Sequence, residues 1–468
     1  AALALDVTPL LRGPAPYPQE WQWGLAAVPD LRPVWLALPV AAALAIGAWA
    51  WLAARRSHLQ SRALLVLAVL ALAFRLTVQM TSQDGLSIVA RTLNPAYFGY
   101  FPPASRVSDL SEFLRTYPER RMEYNIRVQT HPPGNVIFYW LFIRAFESVP
   151  SVTQALAPVI EPHVLARPDW AQRYTTAEVL AGAAASLAVP AISTLGVLPL
   201  HRLAGRLGSP RAARLAVVLY AFIPALVLFT PVVDDLFSFL TVTALWLTVK
   251  GLDERRATWV GLAGLAWGVE AFMTFGVLPV LLLLALTIAL RRVGEAGGGR
   301  RALLEGVALG AGGSAVWGLA WLLTGLNPVV LYRVSTLAHG GLTETRSYWL
   351  WLVYNPYDVL LFAGVPVAVH FLRGATRVVG RSRGFPRLPS PADQLMLAFL
   401  ITMVALLVSG MVRGETARIL LYTTPVLAWA AGCDIAEHEE NTPGYGAWMA
   451  ALMAGQAIFF YVILDVYH

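Results

Sequence analysis

Apolar runs of about 17 to 25 residues recur along the whole chain, and each is long enough to cross about 30 Å of hydrocarbon as a helix. Lipid offers no water to backbone polar groups, so such runs must satisfy their own hydrogen bonds as helices. They are predicted at 33–54, 63–81, 174–199, 214–233, 236–251, 257–272, 275–291, 302–324, 350–373, 392–411, 417–436 and 444–464. Composition agrees: 57% of the 468 residues are hydrophobic, 13% are charged, and the mean hydropathy is +0.59. The expected fold class is therefore all-α, a polytopic integral membrane protein with about 12–13 transmembrane helices and no soluble domain of ordinary size.

The net charge of +7 is carried almost entirely by arginines scattered over short loops. That is an orientation signal and not a nucleic-acid patch, so no nucleic-acid partner is expected. The basic connections are 55–62, 202–214, 250–256, 291–301 and 373–387, and all five fall on the cytoplasmic side if the run 135–148 does not cross. That run is short and contains Arg144 and Glu147, which fits an interfacial helix. The segment 82–173 then forms a large outer loop, with LSIVARTL and LSEFLRTY as amphipathic helices on the membrane surface. Residues 1–32 form an outer N-terminal segment, and AALALD reads as the tail of a helix that begins before residue 1. Residues 33–468 read as a single transmembrane domain, in the plasma (inner) membrane. The single cysteine, Cys433, excludes a disulfide framework or zinc-finger spacing.

Two outer features have the chemistry of a site. Asp84 directly follows the helix at 63–81, where a partly desolvated carboxylate is a stronger base than in bulk water and can accept a hydroxyl proton or bind a metal. An ordinary exposed Asp-Gly turn is the alternative. The second is Thr130-His131-Pro132-Pro133-Gly134. Its prolines extend the chain and then fit the first turn of a helix, holding His131 at the edge of the cavity that Asp84 enters.

These motifs resemble the GT-C superfamily of lipid-linked glycosyltransferases, most of all the protein O-mannosyltransferase and aminoarabinose transferase branch. Leu203-Ala204-Gly205-Arg206-Leu207-Gly208 is similar to the cytoplasmic turn of that branch, and Asp234-Asp235 stands where it commonly has a second acidic residue. The likeness covers about 62–291, and 302–468 reads as variable C-terminal helices. The resemblance implies transfer of a sugar from a polyprenyl phosphate to a hydroxyl of a protein, lipid or glycan at the outer face of the membrane, usually with inversion. Asp84 matches the catalytic position, and Asp234 or Asp235 would orient the acceptor or a divalent metal ion. The chain departs from the pattern at Gly85, at Gly134, and at Met273-Thr274, where relatives often have a second carboxylate, a leucine and a lysine. It lacks the Trp-Trp-Asp motif of oligosaccharyltransferases, which disfavours transfer to asparagine.

A departing lipid phosphate needs positive charge at the interface. Arg413 and Arg418 in Arg413-Gly414-Glu415-Thr416-Ala417-Arg418 are the first candidates, with Arg346 in the 332–358 loop and the intramembrane Arg75. A surface pair between Glu415 and Arg413 or Arg418 is the alternative. His339 with Asp84 or Asp235 is a candidate metal set, and the aromatics of 332–358 and of PAPYPQEWQW (14–23) read as an interface belt. Two other functions stay open: a noncatalytic scaffold subunit of a membrane assembly, with protein partners not readable, and a transporter or lipid flippase.

Overall fold

The structure, a computed structural model, describes residues 3, 6–17, 19–26, 33–56, 59–81, 88–94, 99–164, 173–382, 390–439 and 442–466. Among them, nine helices are long and apolar enough to cross a membrane: Val34–Ala54, Ser61–Gln79, Thr176–Leu207, Pro210–Leu228, Asp235–Glu254, Phe275–Arg292, Gly298–Thr324, Pro391–Ser409 and Tyr445–Ile463. The protein is an all-α polytopic membrane protein. The one sheet among the described residues is a two-residue pairing of Gly24–Leu25 with Leu464–Asp465.

Three predicted spans take other forms. The run at 257–272 is the 17-residue helix Ala257–Met273. The run at 350–373 breaks into Tyr348–Ala363 and Val365–Ser382, which meet at 120°. Gly364 makes the corner with φ +100°, and an added Cβ there would run into the Met453 side chain. The run at 417–436 is divided into Thr416–Ile419, Leu421–Thr423 and Thr424–Glu439. Pro425, at the second position of the last piece, starts a helix without needing an amide donor. Hydropathy reads none of these breaks, because each lies inside an apolar run.

The described parts of the segment between the second and third spans form short helices, as its polarity predicts. Asp109 caps Leu110–Arg120 through Ser111 and Glu112 amides, and that helix buries Phe113, Leu114 and Tyr117. Gly134–Ser148 has 15 residues and ends with Arg144 paired to Glu147 at 2.8 Å.

At one end of the bundle the arginine-rich connections meet directly. Arg206 pairs with Asp253 at 3.1 Å and Glu254 at 2.8 Å, Arg211 with Glu439 at 3.1 Å, and Arg202 donates to Ser61 at 3.3 Å. Arg291 also reaches Asp253. The loops that the charge pattern assigns to one side therefore gather at one end.

Part of the aromatic belt expectation is overturned. Trp349 is 74% exposed, but Trp351 and Trp23 are buried. Trp23 lies against Phe229 and Phe362 and donates to Asp358 at 2.6 Å, while Glu20 accepts from Trp351 Nε1 and the Ser347 amide, both at 2.8 Å. A buried indole N–H needs an acceptor, and these two carboxylates provide them.

Ala257–Met273 packs on Gly298–Thr324 through backbone contact. A Cβ on Gly264 would overlap the Leu309 carbonyl, and one on Gly312 would overlap the Gly261 carbonyl. Close approach of this kind lets two apolar helices associate by van der Waals contact where lipid removes the hydrophobic drive. Gly264→Leu is expected to lower stability by about 1–3 kcal/mol, whereas Gly306→Leu, with open space around its Cβ, stays within about 0.5 kcal/mol. Unfolding of the two variants in one detergent checks this.

Candidate functional site

At the end of the bundle opposite the arginine connections, the turn 229–234 delivers two adjacent acids to the start of Asp235–Glu254. Carboxylates are favoured there by the helix dipole. Successive residues on a helix point about 100° apart, so the two side chains part company. Asp235 turns into the core, where it accepts from Arg75 Nη1 at 2.9 Å and Ser193 Oγ at 3.0 Å. Both charged side chains are fully buried. Asp234 faces the other way and pairs with Arg418 Nη1 at 2.8 Å.

Arg418 also holds Glu415, with Nε to Oε2 at 2.8 Å. Glu415 has φ +51°, a left-handed conformation rare for a residue with a side chain, which places its carboxylate back over the following turn. Burial alone would raise the Glu415 pKa, but Arg418 and Arg127 carry it below the usual value. Burial likewise works against the Arg418 charge, and Glu415 and Asp234 outweigh it.

The His-Pro-Pro-Gly segment forms the neighbouring wall. Pro133 precedes the first residue of Gly134–Ser148, and Gly134 is required there because a Cβ would run into the Phe272 carbonyl. His131 Nδ1 donates to the Arg127 carbonyl at 2.7 Å, which leaves Nε2 as the acceptor nitrogen. Tyr117 donates to the His131 carbonyl at 2.9 Å, and the Tyr100 ring meets the imidazole edge-on at 5.7 Å. Burial pushes the His131 pKa down to about 4, against the attraction of Asp234. His131 is therefore neutral at pH 7 and is a weak base.

Four residues that local reading passed over complete the group. Tyr100 is buried, and burial with Asp234 nearby raises its phenol pKa. Asn135 and Tyr139 are fully buried; the Asn135 side chain meets the Tyr100 hydroxyl, while the Tyr139 hydroxyl has no hydrogen-bond partner among the described residues. Arg127 is half-buried, and its guanidinium makes no hydrogen bond or ion pair within the described residues. Burial and Arg418 lower its pKa, and Glu415, Tyr100 and Asp234 oppose this. Its position four residues before His131 was the one available signal.

Of the expected site residues, the structure brings together His131, Asp234 and Arg418, with Asp235 behind them. Asp84 lies outside the described residues. Arg75 is the counter-ion of Asp235 in the core. Arg413 donates to the carbonyls of Gly410 at 3.0 Å and Arg346 at 2.9 Å, and Arg346 donates to that of Arg413. These two arginines fasten one loop to the other. Arg418 does pair with Glu415, as the alternative has it, but the pair is largely buried and includes Asp234.

Of the expected metal set, the pairing of His339 with Asp235 does not assemble, and Asp84 lies outside the described residues. Asp235 is enclosed with Arg75, and His339 Nε2 contacts the Met411 carbonyl at 2.7 Å. The group of three potential ligands among the described residues is His370, Asp434 and His438 at the opposite end. His370 Nδ1 lies 2.6 Å from Asp434, and Tyr445 holds the other ring nitrogen at 3.1 Å. Two imidazoles and a carboxylate suit zinc, but Arg373 and Arg377 already pair with Asp434 and would repel a divalent cation.

No protein-family model and no curated protein matches the chain. A similar solved structure is the oligosaccharyltransferase of Archaeoglobus fulgidus in complex with zinc and sulfate, with a TM-score of 0.42 and 12% identity. The alignment covers 85% of this chain and 54% of that one, so the chain spans about half of its length.

Two outcomes follow from this geometry. Arg418→Met strands the Asp234 carboxylate and is expected to cost about 3 kcal/mol, much of it recovered in Arg418→Met with Asp234→Leu, as read from denaturant or thermal unfolding. The folded His131 pKa lies below its unfolded value, so the native state binds fewer protons. Stability should therefore fall as pH drops from about 6.5 towards 4, and His131→Gln should flatten that fall in melting curves taken across the window.

Proposed function

We propose that the protein is a GT-C-type membrane glycosyltransferase that moves a sugar from a polyprenyl phosphate to a hydroxyl acceptor at the outer face of the membrane. The observation that carries the reading is the Asp234–Arg418–Glu415 network with Arg127 beside it, at the end opposite the arginine connections and against the His-Pro-Pro-Gly wall. Positive-inside orientation puts that end on the outer side.

In this reading the acceptor oxygen attacks the anomeric carbon, the carbon–oxygen bond to the phosphate breaks, and the lipid phosphate leaves with the bonding electrons. The acceptor proton passes to a carboxylate. Asp84 is the proposed base. Asp234 and Asp235 are already neutralised by arginines and serve to hold Arg418 and Arg75. His131 can accept a hydrogen bond at Nε2 but is too weakly basic to take the proton. Arg127 is the proposed phosphate contact, because its charge is not committed to a partner and a guanidinium matches phosphate oxygens. This transfers to Arg127 the role that sequence alone offered to Arg413, Arg418, Arg75 and Arg346. Donor identity, acceptor and a divalent metal ion belong to the proposal.

One observation favours a second reading. Both acids at the head of Asp235–Glu254 are bound by arginine, as a noncatalytic scaffold built on the same fold would have them.

The test is a transfer assay with the protein in lipid, using radiolabelled polyprenyl-phosphate sugars and membrane extract. Transfer should occur with wild type, fall at least about a hundredfold in Asp84→Asn, and weaken in Arg127→Ala through a raised KM for the donor. Equal transfer by Asp84→Asn removes Asp84 as the base. Absence of transfer from every donor, with folded protein, supports the scaffold.

A further inference from the structure

At the end of the bundle that carries the arginine connections, opposite Asp234, a cavity of about 310 Å³ lies between four helices. That volume is in the range of small-molecule sites, about 300–1,000 Å³. Its lining changes with depth. Ser209 and Ser390, at helix starts, and Arg381 and Glu437, near helix ends, form the rim. Met396 and Trp429 lie about two turns farther along their helices, among apolar neighbours. Trp429 is 2% exposed, and its indole N–H has no hydrogen-bond partner among the described residues. A buried indole N–H normally has one, so the inner wall holds a donor that the fold does not use.

The charges at the rim restrict the ligand. Arg373 and Arg377 pair with Asp434, Arg377 also reaches Glu437, and Arg381 meets Asp393 at 3.2 Å. A cation would find each of these carboxylates already paired, and a dianion would meet as many carboxylates as arginines. A single negative charge is better matched. Arg381 reaches Asp393 through Nη1 alone, and the other edge of its guanidinium can grip phosphate. The helices Pro210–Ala221 and Pro391–Ser409 turn their positive ends to the same rim.

We infer that this cavity is a binding site for a membrane phospholipid. Its singly charged phosphodiester sits at Arg381 and the two helix starts, a glycerol ester carbonyl accepts from the Trp429 N–H, and an acyl chain lies along the apolar wall. Positive-inside orientation makes it a lipid of the cytoplasmic leaflet, where pockets between spanning helices take up lipid headgroups. The inference does not depend on the glycosyltransferase reading: this lipid joins Val365–Ser382 to Pro391–Ser409 and is not a substrate.

The experiment measures binding to the full chain, delipidated in detergent, by native mass spectrometry. Three probes are compared: dioleoyl phosphatidylglycerol, dioleoylglycerol, which lacks the phosphate, and glycerophosphoglycerol, which lacks the chains. Phosphatidylglycerol should bind wild type at least about tenfold more tightly than either fragment. Arg381→Gln should weaken it about tenfold and Trp429→Phe about fivefold. Arg300→Gln, an equal charge change on an exposed residue of the arginine connections, should leave it unchanged. Gly374→Leu, whose Cβ would meet Met396 Cε at 3.7 Å, should fill the cavity and block binding. Arg381 is 54% exposed, so Arg381→Gln carries the test if Gly374→Leu does not fold. Equal binding of glycerophosphoglycerol makes this a site for soluble phosphodiesters and overturns the lipid assignment. Equal binding of dioleoylglycerol overturns the phosphate contact. Wild-type affinity in folded Arg381→Gln and Gly374→Leu, or an equal loss in Arg300→Gln, puts the lipid elsewhere and overturns the cavity. So does a wild type that binds none of the probes.

Discussion

Two adjacent carboxylates at the head of one helix are the constraint around which the bundle is arranged. A charge taken out of water without a partner costs several kcal/mol, so Asp234 and Asp235 each require a cation from a distant part of the chain. Arg75 on Ser61–Gln79 supplies one inside the core, and Arg418 supplies the other near the surface. These two ion pairs fix Ser61–Gln79 and the 410–418 loop relative to Asp235–Glu254. Ser193 from a fourth element shares the Asp235 carboxylate, so the buried pair also orients Thr176–Thr194.

The rest of the architecture accommodates that junction. Gly134 brings the His-Pro-Pro segment into backbone contact with the end of Ala257–Met273, and Gly364 turns one apolar run through 120°. The N-terminal segment then closes over the bend, with Trp23 bonded to Asp358 and Glu20 to Trp351. Polar groups deep in an apolar protein are costly unless bonded, and each of these contacts answers that demand. Near the site, the Tyr139 hydroxyl and the Arg127 guanidinium make no such bond among the described residues.

The pairing of charges also separates two kinds of cation at this end of the molecule. Arg75, Arg346, Arg413 and Arg418 each donate to a carboxylate or a carbonyl and so hold one part of the chain to another. Arg127 alone among the arginines weighed for this site has an uncommitted guanidinium. Burial and the Arg418 charge press against its protonated form, so an arriving anion would relieve an existing tension as well as add contacts.

The sequence by itself determined the membrane class, the gathering of basic loops, the short helix Gly134–Ser148 and the placing of Asp234-Asp235 at a helix start. All of these follow from local hydropathy, loop charge and turn chemistry, which act over one or two turns of chain. Tertiary structure decided which cation meets which acid. Arg75 and Asp235 are 160 residues apart, Asp234 and Arg418 184, and Trp23 and Asp358 335. It also decided that the runs at 350–373 and 417–436 break, since a corner at Gly364 or a restart at Pro425 depends on what packs against it. Hydropathy measures how readily a segment leaves water, whereas ion pairs, indole bonds and glycine contacts depend on which segments then become neighbours.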